Sequence, residues 1–310
     1  MKKELELYLH IPFCVSKCKY CDFLSAPSGE EQRQIYVERL CRRIRYWSDV
    51  IHNYGYEITS IFVGGGTPSI LTEAQITQVF EAVHESFPIR EDAEITLEMN
   101  PGTDVKDKLP VYRELGINRL SMGLQSADNK ELKCLGRIHT YEDFRQVYQW
   151  AREAGFTNIN VDLMSAIPGQ TLESYEDTLR KVADLKPEHI SAYSLIIEEG
   201  TPFYERYGED RHAEELPDED TERQMYVRTR EILEGYGYHR YEISNYAKDG
   251  YECRHNLGYW DRKEYLGLGA GASSLMDHIR WKEPDHIGPS TGLVLEERED
   301  FTRLRRKDEM

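Results

Sequence analysis

The feature that most constrains the fold of this chain is a regular alternation of short apolar runs with longer amphipathic segments. The runs with β-strand character cover residues 5–10, 58–63, 94–98, 119–124, 158–163 and 189–195. The segments with helical character include residues 32–50, 72–86, 141–154 and 172–185. Strict alternation of strand and helix is typical of βαβ crossovers and a parallel sheet. Because six units are too few for a closed eight-stranded barrel, the sequence predicts an α/β fold built on a partial, TIM-like (β/α)6 barrel.

The alternation ends near residue 195, and the chain divides into three predicted parts. Residues 1–200 form the barrel core, and residues 201–282 form a small α+β extension with an acidic stretch at 209–222 and a helix that ends near residue 234. Residues 283–310 are polar and include two prolines. We expect this last segment to be poorly ordered or cut short.

Composition excludes several classes of protein. The 310 residues contain 39 Lys and Arg against 56 Asp and Glu, which gives a net charge of −17. Nucleic acid is not an expected partner, because phosphate binding is supplied chiefly by Lys and Arg. No run approaches the roughly 18 apolar residues of a membrane span, and the acidic start of the chain lacks the apolar stretch of a signal peptide. We expect a cytoplasmic protein.

Three of the six cysteines lie within eight residues, directly after the first predicted strand, as Cys14, Cys18 and Cys21. Thiolates are the ligands of iron-sulfur clusters, and three of them on a four-iron cube leave one iron free for another ligand. A structural zinc site is the alternative, with His10 or Asp22 as a fourth ligand. Unrelated free thiols are a second alternative. The close spacing at a strand end favours the cluster.

A glycine-rich turn, GGGTP at residues 64–68, follows the second predicted strand. Glycine lets backbone approach a ligand closely, although a tight strand-to-helix turn explains the same residues. The turn is not a phosphate loop, because no Gly-Lys-Ser/Thr follows it, and Ser69 stands where a dinucleotide-binding turn needs its third glycine.

Polar residues stand at or just beyond the ends of later strands, where barrel enzymes gather their chemistry. They are Glu98 in LEMNP, Gln125 in SMGLQS, Arg137 in LGRIHT and Asp162 in NVDLMSAIPGQT. Each alone is more often a helix cap or an ion-pair partner than a ligand. Their shared position at one edge of the sheet makes them candidate ligand-binding residues.

These motifs together resemble a known superfamily. CVSKCKYC resembles the C-x3-C-x2-C signature of radical S-adenosylmethionine (SAM) enzymes, and YLHIPFC, FVGGGTPS, LEMNP, RLSMGLQS and NVDLMSAIPGQT resemble the coproporphyrinogen dehydrogenase-like branch of that superfamily. The resemblance implies a barrel of the radical SAM type that carries a 4Fe-4S cluster on the three cysteines, with S-adenosyl-L-methionine on its open iron. The implied SAM contacts are Tyr8, Tyr20, Gly65, Gly66, Thr67, Glu98, Gln125, Arg137, Asp162 and Ile196.

The implied roles of these contacts suit their chemistry. Carboxylates can hold the ribose hydroxyls, Arg137 can meet the methionine carboxylate, and Tyr20 can stack near the adenine.

Two subfamilies share these blocks. The dehydrogenases carry a further cysteine two places after the third and a long segment before the first strand. Here Phe23 holds that position, and seven residues precede Tyr8. The chain therefore resembles more closely the HemW-like haem chaperones, which bind haem and deliver it to membrane-bound haem proteins. The alternative is an oxygen-independent coproporphyrinogen III dehydrogenase that performs radical SAM oxidative decarboxylation, so the resemblance leaves enzymatic activity undecided.

A second block supports the chaperone interpretation. Residues 253–260, CRHNLGYW, resemble the H-N-x-x-Y-W haem motif of that subfamily. The resemblance implies that His255 is a haem ligand, with Cys253 as a second candidate, and imidazole is a common axial ligand of haem iron. From the residues alone, a hydrogen-bonded histidine beside the packing residues Tyr259 and Trp260 is the simpler interpretation.

The resemblance also implies partners. These are haem, membrane-bound haem-protein acceptors, a haem-donor protein, an electron donor such as flavodoxin or ferredoxin, and a second copy of the chain in a homodimer. A peripheral position at the membrane would follow from such acceptors. The resemblance ends near residue 282, and we expect residues 283–310 to be shortened relative to the helical region that continues the family.

Overall fold

The computed structural model of the chain describes residues 2–285 and the backbone of residues 300–303. Its strands are β1 (Lys3–Ile11), β2 (Phe13–Cys14), β3 (Ala26–Pro27), β4 (Tyr56–Gly65), β5 (Ile89–Met99), β6 (Arg119–Gln125), β7 (Ile159–Ser165), β8 (His189–Ser194), β9 (His239–Arg240), β10 (Asn245–Ala247), β11 (Tyr265–Leu268), β12 (Ser273–Met276), β13 (Ile279–Lys282) and β14 (Asp300–Arg303). Its α-helices are α1 (Glu30–Asn53), α2 (Glu73–Ser86), α3 (Lys108–Glu114), α4 (Asn129–Leu135), α5 (Tyr141–Glu153), α6 (Leu172–Asp184), α7 (Pro202–Tyr207), α8 (Glu219–Gly235) and α9 (Arg254–Trp260). Short 3-10 turns cover Pro68–Ile70, Gly208–Asp210 and Ala213–Glu215.

Twelve strands form one sheet in the order β14, β13, β12, β11, β1, β4, β5, β6, β7, β8, β10, β9. The strands from β11 to β8 in that order run parallel, and the strands at both edges are antiparallel. The six predicted strands are β1 and β4 to β8, which lie side by side. The predicted α/β fold with a partial (β/α)6 barrel is confirmed.

The four predicted helices are α1, α2, α5 and α6, and their ends agree with the prediction to within three residues. Their starts are encoded locally. Thr72 accepts a hydrogen bond from the Gln75 amide at 3.2 Å, and the Gln75 side chain accepts one from the Thr72 amide at 3.0 Å. This reciprocal pair satisfies two amides that have no partner within the helix. Thr140 and Thr171 begin α5 and α6 in the same way.

The two faces of the barrel strands differ in polarity. In β1, Leu5, Leu7 and Leu9 are fully buried against the layer of helices. Side chains alternate between the faces of a strand, so Glu6 and Tyr8 point the opposite way, into the barrel. Parallel strands usually read as continuous apolar runs because both faces are packed. The alternation here gives the barrel a polar interior, where a ligand cavity can form.

The region after β8 continues the same sheet. β11 pairs in parallel with β1, with Gly267 opposite Tyr8. Helix α1 also holds this region, because Trp47 stacks on Trp281 at 5.7 Å between ring centroids and Arg43 forms a buried ion pair with Glu283 at 2.6 Å. The division of the chain at residue 200 stays a prediction, and most of the predicted tail, residues 283–310, lies outside the described residues.

Helix α9 lies inside the barrel. At Gly258 a Cβ atom would stand 2.0 Å from Oε1 of Glu6, so only glycine lets the helix approach the inner face of β1. The amide of His255 donates to Oε1 of Glu94 on β5 at 3.3 Å. Among the residues that the structure describes, no helix has the length and apolarity needed to cross a membrane.

Candidate functional site

The cysteine loop lies between β2 and β3 at the carboxyl end of β1. Cys14 is buried, while Cys18 and Cys21 are partly exposed. Backbone hydrogen bonds fix the loop on two sides: the Thr67 amide donates to the Phe13 carbonyl at 2.7 Å, and the Lys19 amide donates to the Leu135 carbonyl at 3.0 Å. The loop is therefore held between the turn after β4 and the end of α4.

The spread of the three thiols distinguishes between a cluster and a single ion. In the described part of the chain, one group of three His, Cys, Asp or Glu residues has all its ligand atoms within 4.8 Å of one another. This group is His212, Glu214 and Glu215, and it does not include Cys14, Cys18 or Cys21. A tetrahedral zinc ion with Zn–S of about 2.3 Å would hold its thiolates only about 3.8 Å apart. At least one pair of the three thiols is therefore further apart than a single zinc ion requires.

His10, one candidate for a fourth zinc ligand, is already engaged. Its Nδ1 lies 2.9 Å from the Tyr8 hydroxyl, and its Nε2 lies 3.0 Å from the Leu24 carbonyl oxygen. Burial lowers the pKa of the ring. With both nitrogens hydrogen-bonded, His10 supports the loop rather than completing a zinc site.

The glycine turn packs directly on the cysteine loop. A Cβ atom at Gly66 would stand 2.6 Å from the Phe13 carbonyl oxygen, and Gly65 has φ of +114° with the His10 ring 2.6 Å from its would-be Cβ. The Thr67 hydroxyl donates to Sγ of Cys14 at 3.5 Å. The packing of the two loops therefore accounts for these glycines. Contact of Gly65, Gly66 and Thr67 with SAM stays a prediction.

Arg137 reaches the same loop from the segment after α4. Its Nη1 donates to Sγ of Cys18 at 3.6 Å, and its Nη2 donates to the Gly123 carbonyl. The guanidinium is buried, its Nε has no hydrogen-bond partner, and no carboxylate of the described residues lies within ion-pair distance of it. A buried charge without an opposite charge is costly. The site therefore fits the carboxylate of a bound ligand beside Cys18.

Two predicted carboxylates converge inside the barrel. Glu98 accepts a hydrogen bond from the Gly65 amide at 3.1 Å, and Asp162 accepts one from Nδ2 of Asn160 at 2.7 Å. Burial, and then the charge of Asp162, raises the pKa of Glu98 to about 8. Burial likewise raises the pKa of Asp162. Neutral or charged, both groups can accept hydrogen bonds from a diol such as ribose.

The other predicted SAM contacts differ in position. Gln125, at φ of +76°, extends its amide over Gly123 beside the Arg137 guanidinium. Tyr8 lines the barrel interior. Tyr20 packs against the apolar cluster that includes Leu135 and Phe203, and Ile196 lies in the loop after β8 with 65% of its surface exposed.

One interior cavity of about 190 Å³ joins residues from both predicted sites. Its walls include Tyr8, Glu98 and Asp162 from the predicted SAM site, and Cys253, His255 and Tyr259 from the predicted haem motif. The cavity extends from the carboxyl ends of the strands to α9. The two predicted sites are therefore neighbours within one barrel.

His255 is buried, and both ring nitrogens have partners: Nδ1 lies 2.9 Å from the Ser60 hydroxyl, and Nε2 lies 3.2 Å from the Tyr259 hydroxyl. Its ring stacks on Phe62. Burial, and then the Arg119 charge, lowers the pKa of His255 to about 3, so the imidazole is neutral. A neutral imidazole is the form that binds iron. In this arrangement Tyr259 occupies the ligating nitrogen, and the role of His255 as a haem ligand stays a prediction.

Cys253, the second haem-ligand candidate, donates to Oε1 of Glu94 at 3.4 Å. Burial raises the pKa of its thiol to about 12. Since the thiolate is the form that binds metals, Cys253 is the weaker candidate.

The sequence interpretation missed the polar inner face of the barrel. Its members beyond the predicted site residues include Glu6, Glu94, Arg119, Asn160 and His189. They are buried and surround α9. One sequence pattern could have identified them: polar and apolar residues alternate within strands that the order of strands and helices predicts to be parallel.

Comparison with known proteins identifies the family. The model of the radical SAM superfamily matches residues 8–182. The heme chaperone HemW of Escherichia coli (strain K12) is 41% identical over 269 residues, which cover 86% of this chain and 69% of that protein. The heme chaperone HemW of Lactococcus lactis is 36% identical over 289 residues, covering 93% and 73%.

Among solved structures, coproporphyrinogen III oxidase (HemN) from Escherichia coli, described as a radical SAM enzyme, superposes with a TM-score of 0.81 at 26% identity and covers 92% of this chain and 68% of that one. The higher sequence identities are to the HemW proteins. The chain therefore belongs to the radical SAM superfamily and, within it, to the family of the heme chaperone HemW.

Proposed function

We propose that this chain is a haem chaperone that binds haem and delivers it to membrane-associated haem proteins. The observation that carries the proposal is the identity of 41% and 36% over most of the chain with proteins named heme chaperone HemW, against 26% with the coproporphyrinogen III oxidase structure. Phe23 stands where the dehydrogenases have a further cysteine, and it supports the same choice.

The resident cofactors follow from the family. Radical SAM membership implies a 4Fe-4S cluster and S-adenosyl-L-methionine. We assign the cluster to Cys14, Cys18 and Cys21, whose thiols supply the right donor chemistry and leave one iron open. When bound, the cluster and SAM together supply one-electron reductive chemistry. The residues of the chain bind and orient the two groups and shield them within the barrel.

The residues around the cluster have separate tasks in this proposal. Arg137 pairs with the methionine carboxylate next to Cys18, and Gln125 extends beside it over Gly123. Glu98 and Asp162 hold the ribose hydroxyls from the barrel wall, since both carboxyls line the interior cavity. The proposed axial ligand of haem is His255, at the opposite end of that cavity.

The proposed partners follow from the same function. They are haem, membrane-bound haem-protein acceptors, a haem-donor protein, an electron donor such as flavodoxin or ferredoxin, and a second copy of the chain. We propose a cytoplasmic location, with the protein peripheral at the membrane when it meets its acceptor.

The test is anaerobic. The cluster is reconstituted, haem is titrated into the parent chain and into the His255→Ala variant, and visible spectra are compared. We expect saturable haem binding that the substitution weakens about tenfold or more, because an axial bond to iron is lost. Coproporphyrinogen III is then added with SAM and reductant. Its decarboxylation, with haem left unbound, would overturn the proposal in favour of the dehydrogenase.

A further inference from the structure

A groove of about 690 Å³ opens beside the cysteine loop, separate from the interior cavity. It lies between β1, the loop residues 22–24, and the strands β11, β12 and β13. Four aromatic side chains and two cations line it: Tyr8, Phe23, Tyr259, Tyr265, Arg280 and Lys282.

The volumes of the two spaces decide which of them can hold a large ligand. Pockets for drug-sized molecules measure roughly 300–1,000 Å³. The interior cavity of about 190 Å³ falls below this range, while the groove of about 690 Å³ lies within it. By volume, the groove and not the interior cavity is in the range of sites for a ligand as large as haem.

Tyr259 and Tyr8 line both spaces, and the Tyr259 hydroxyl lies 3.2 Å from Nε2 of His255 on the cavity side. On the groove side the Tyr259 ring meets Tyr265 edge to face, with ring centroids 4.8 Å apart. Movement of the Tyr259 side chain would remove the hydrogen-bond partner from Nε2 of His255 at the boundary between the cavity and the groove.

The aromatic walls are accessible to a flat ligand. Phe23 is 65% exposed and Tyr259 is 41% exposed, both high for large apolar side chains. Exposed aromatic faces that line a concavity are typical of binding sites rather than of ordinary surface. They can pack on an apolar ring through offset or edge contacts.

The cations lie on one face of β13. Arg280 and Lys282 are two residues apart in a strand, and Trp281 between them is buried on the opposite face. Within the described residues, no carboxylate lies within ion-pair distance of Arg280. Lys282 pairs with Asp285 at 2.8 Å, and both side chains are partly exposed. Because exposed ion pairs are weak, Lys282 can exchange this partner for another carboxylate.

The groove also contains acidic groups, which would repel a bound anion. Asp22 and Asp285 contribute carboxylates to the wall, and the neutral ring of His10 adds no positive charge. Asp285 is already paired with Lys282. Arg280 is therefore the main anchor for an anion, and Lys282 is the second.

We propose that this groove is the haem site, an inference that rests on the proposed chaperone function. The macrocycle lies between the aromatic walls, the two propionates pair with Arg280 and Lys282, and the iron meets Nε2 of His255 when the Tyr259 hydroxyl leaves that nitrogen. Charge-assisted hydrogen bonds between a guanidinium and a carboxylate supply both affinity and orientation. The orientation of the macrocycle in the groove is thereby fixed by its carboxylate edge.

The test compares haem with haem dimethyl ester, in which both propionates are esterified. Both are titrated into the reconstituted parent protein, the R280A/K282A double variant and the control Arg223→Ala. The control removes an exposed Arg of α8 that forms an ion pair with Asp220. We expect the parent and the control to bind haem more tightly than the ester by about tenfold or more. We expect the double variant to bind both ligands with the affinity that the parent has for the ester.

The outcomes separate the two proposals. Equal affinity of the parent for haem and its ester would overturn the assignment of the groove as the haem site, and so would a double variant that keeps the full preference for haem. Neither result would contradict the chaperone function. Failure of the parent to bind haem at all would overturn the function itself. A charge-retaining R280K/K282R variant keeps the preference for haem over the ester if the cations act by charge. Thermal unfolding of each variant, unchanged from the parent, verifies that the fold is intact.

Discussion

Arg137 brings one guanidinium nitrogen, Nη1, to within 3.6 Å of the Cys18 sulfur across 119 residues of sequence. The contact joins the cysteine loop to the segment that follows α4. It also holds a positive charge, without a carboxylate partner among the described residues, next to a proposed cluster ligand. Arg137 therefore supports the loop, and in the proposed function the same side chain also pairs with the carboxylate of SAM.

Replacement of Arg137 by Gln should weaken SAM binding to the reconstituted protein by about tenfold or more, since a charge-assisted hydrogen bond to a carboxylate is lost. Isothermal titration calorimetry under anaerobic conditions measures the change. Arg137→Lys retains the charge but not the bidentate geometry. Its affinity for SAM should lie between the affinities of the parent and of Arg137→Gln. Equal SAM affinity in all three proteins would contradict the assignment.

Replacement of Cys18 by Ser should abolish the cluster, because only two thiolates remain in the loop. The measurement is the content of iron and acid-labile sulfide after anaerobic reconstitution. Cys134→Ser is the matched control, since this cysteine is also partly exposed but lies on α4, outside the loop. If Cys18→Ser keeps a full complement of iron and sulfide, or if the parent binds zinc in preference to iron, the cluster assignment is wrong.

Replacement of Gly66 by Ala should destabilise the protein by about 1–3 kcal/mol, because the added Cβ collides with backbone that cannot move aside easily. The would-be Cβ stands 2.6 Å from the Phe13 carbonyl oxygen. Urea unfolding measures the loss, and faster release of iron should accompany it as the cysteine loop shifts. Gly29→Ala is the control, since nothing lies within 4 Å of its Cβ position. Similar unfolding curves for the two variants would count against this packing.

Replacement of Tyr259 by Phe should leave haem affinity unchanged or raise it, because the hydroxyl that occupies Nε2 of His255 is removed. The visible spectrum should retain the features of a histidine-ligated haem, whereas His255→Ala should lose them. His52→Ala, at the exposed end of α1, serves as the control. Loss of the iron-ligand bands in Tyr259→Phe but not in His255→Ala would identify the tyrosine as the ligand instead.

The contribution of Glu6 to the stability of the apoprotein should fall as the pH rises from about 5 to 8. Burial raises the pKa of Glu6 to about 8, from an ordinary value of 4.5. Between these values the folded state keeps the proton and the unfolded state has released it, so unfolding is favoured by up to about 1.4 kcal/mol per pH unit. Glu6→Gln should lose this contribution, while Glu231→Gln on the surface should behave as the parent. Parallel pH profiles for the parent and Glu6→Gln, obtained from urea unfolding, would contradict the prediction.

The sequence predicted those parts of the fold that short-range patterns encode. Apolar runs and amphipathic segments located the six barrel strands and the four helices. These features depend on residues close together in the chain. The cysteine loop and the glycine turn follow the neighbouring parallel strands β1 and β4, and the hydrogen bond from Thr67 to Cys14 joins them in the structure.

What the sequence could not predict depends on contacts between distant segments. Nothing in the heptapeptide of α9 indicates that it enters the barrel, and its position depends on the missing side chain of Gly258 against Glu6. The proximity of Arg137 to Cys18 likewise follows from the path of α4 rather than from any spacing. The groove between the cysteine loop and β13 forms only when β1 meets the distant strands β11 to β13.

The parallel pairing of β1 with β11 sets an order of events during synthesis. Strand β1 leaves the ribosome well before its neighbour Tyr265–Leu268. At about 5–20 residues per second, that interval lasts tens of seconds or less. Until it ends, one edge of β1 has unpaired amides and carbonyls that another strand could capture. The nascent protein is thus exposed to misassembly at the strand that leads directly into its cysteine loop, before the proposed haem groove exists.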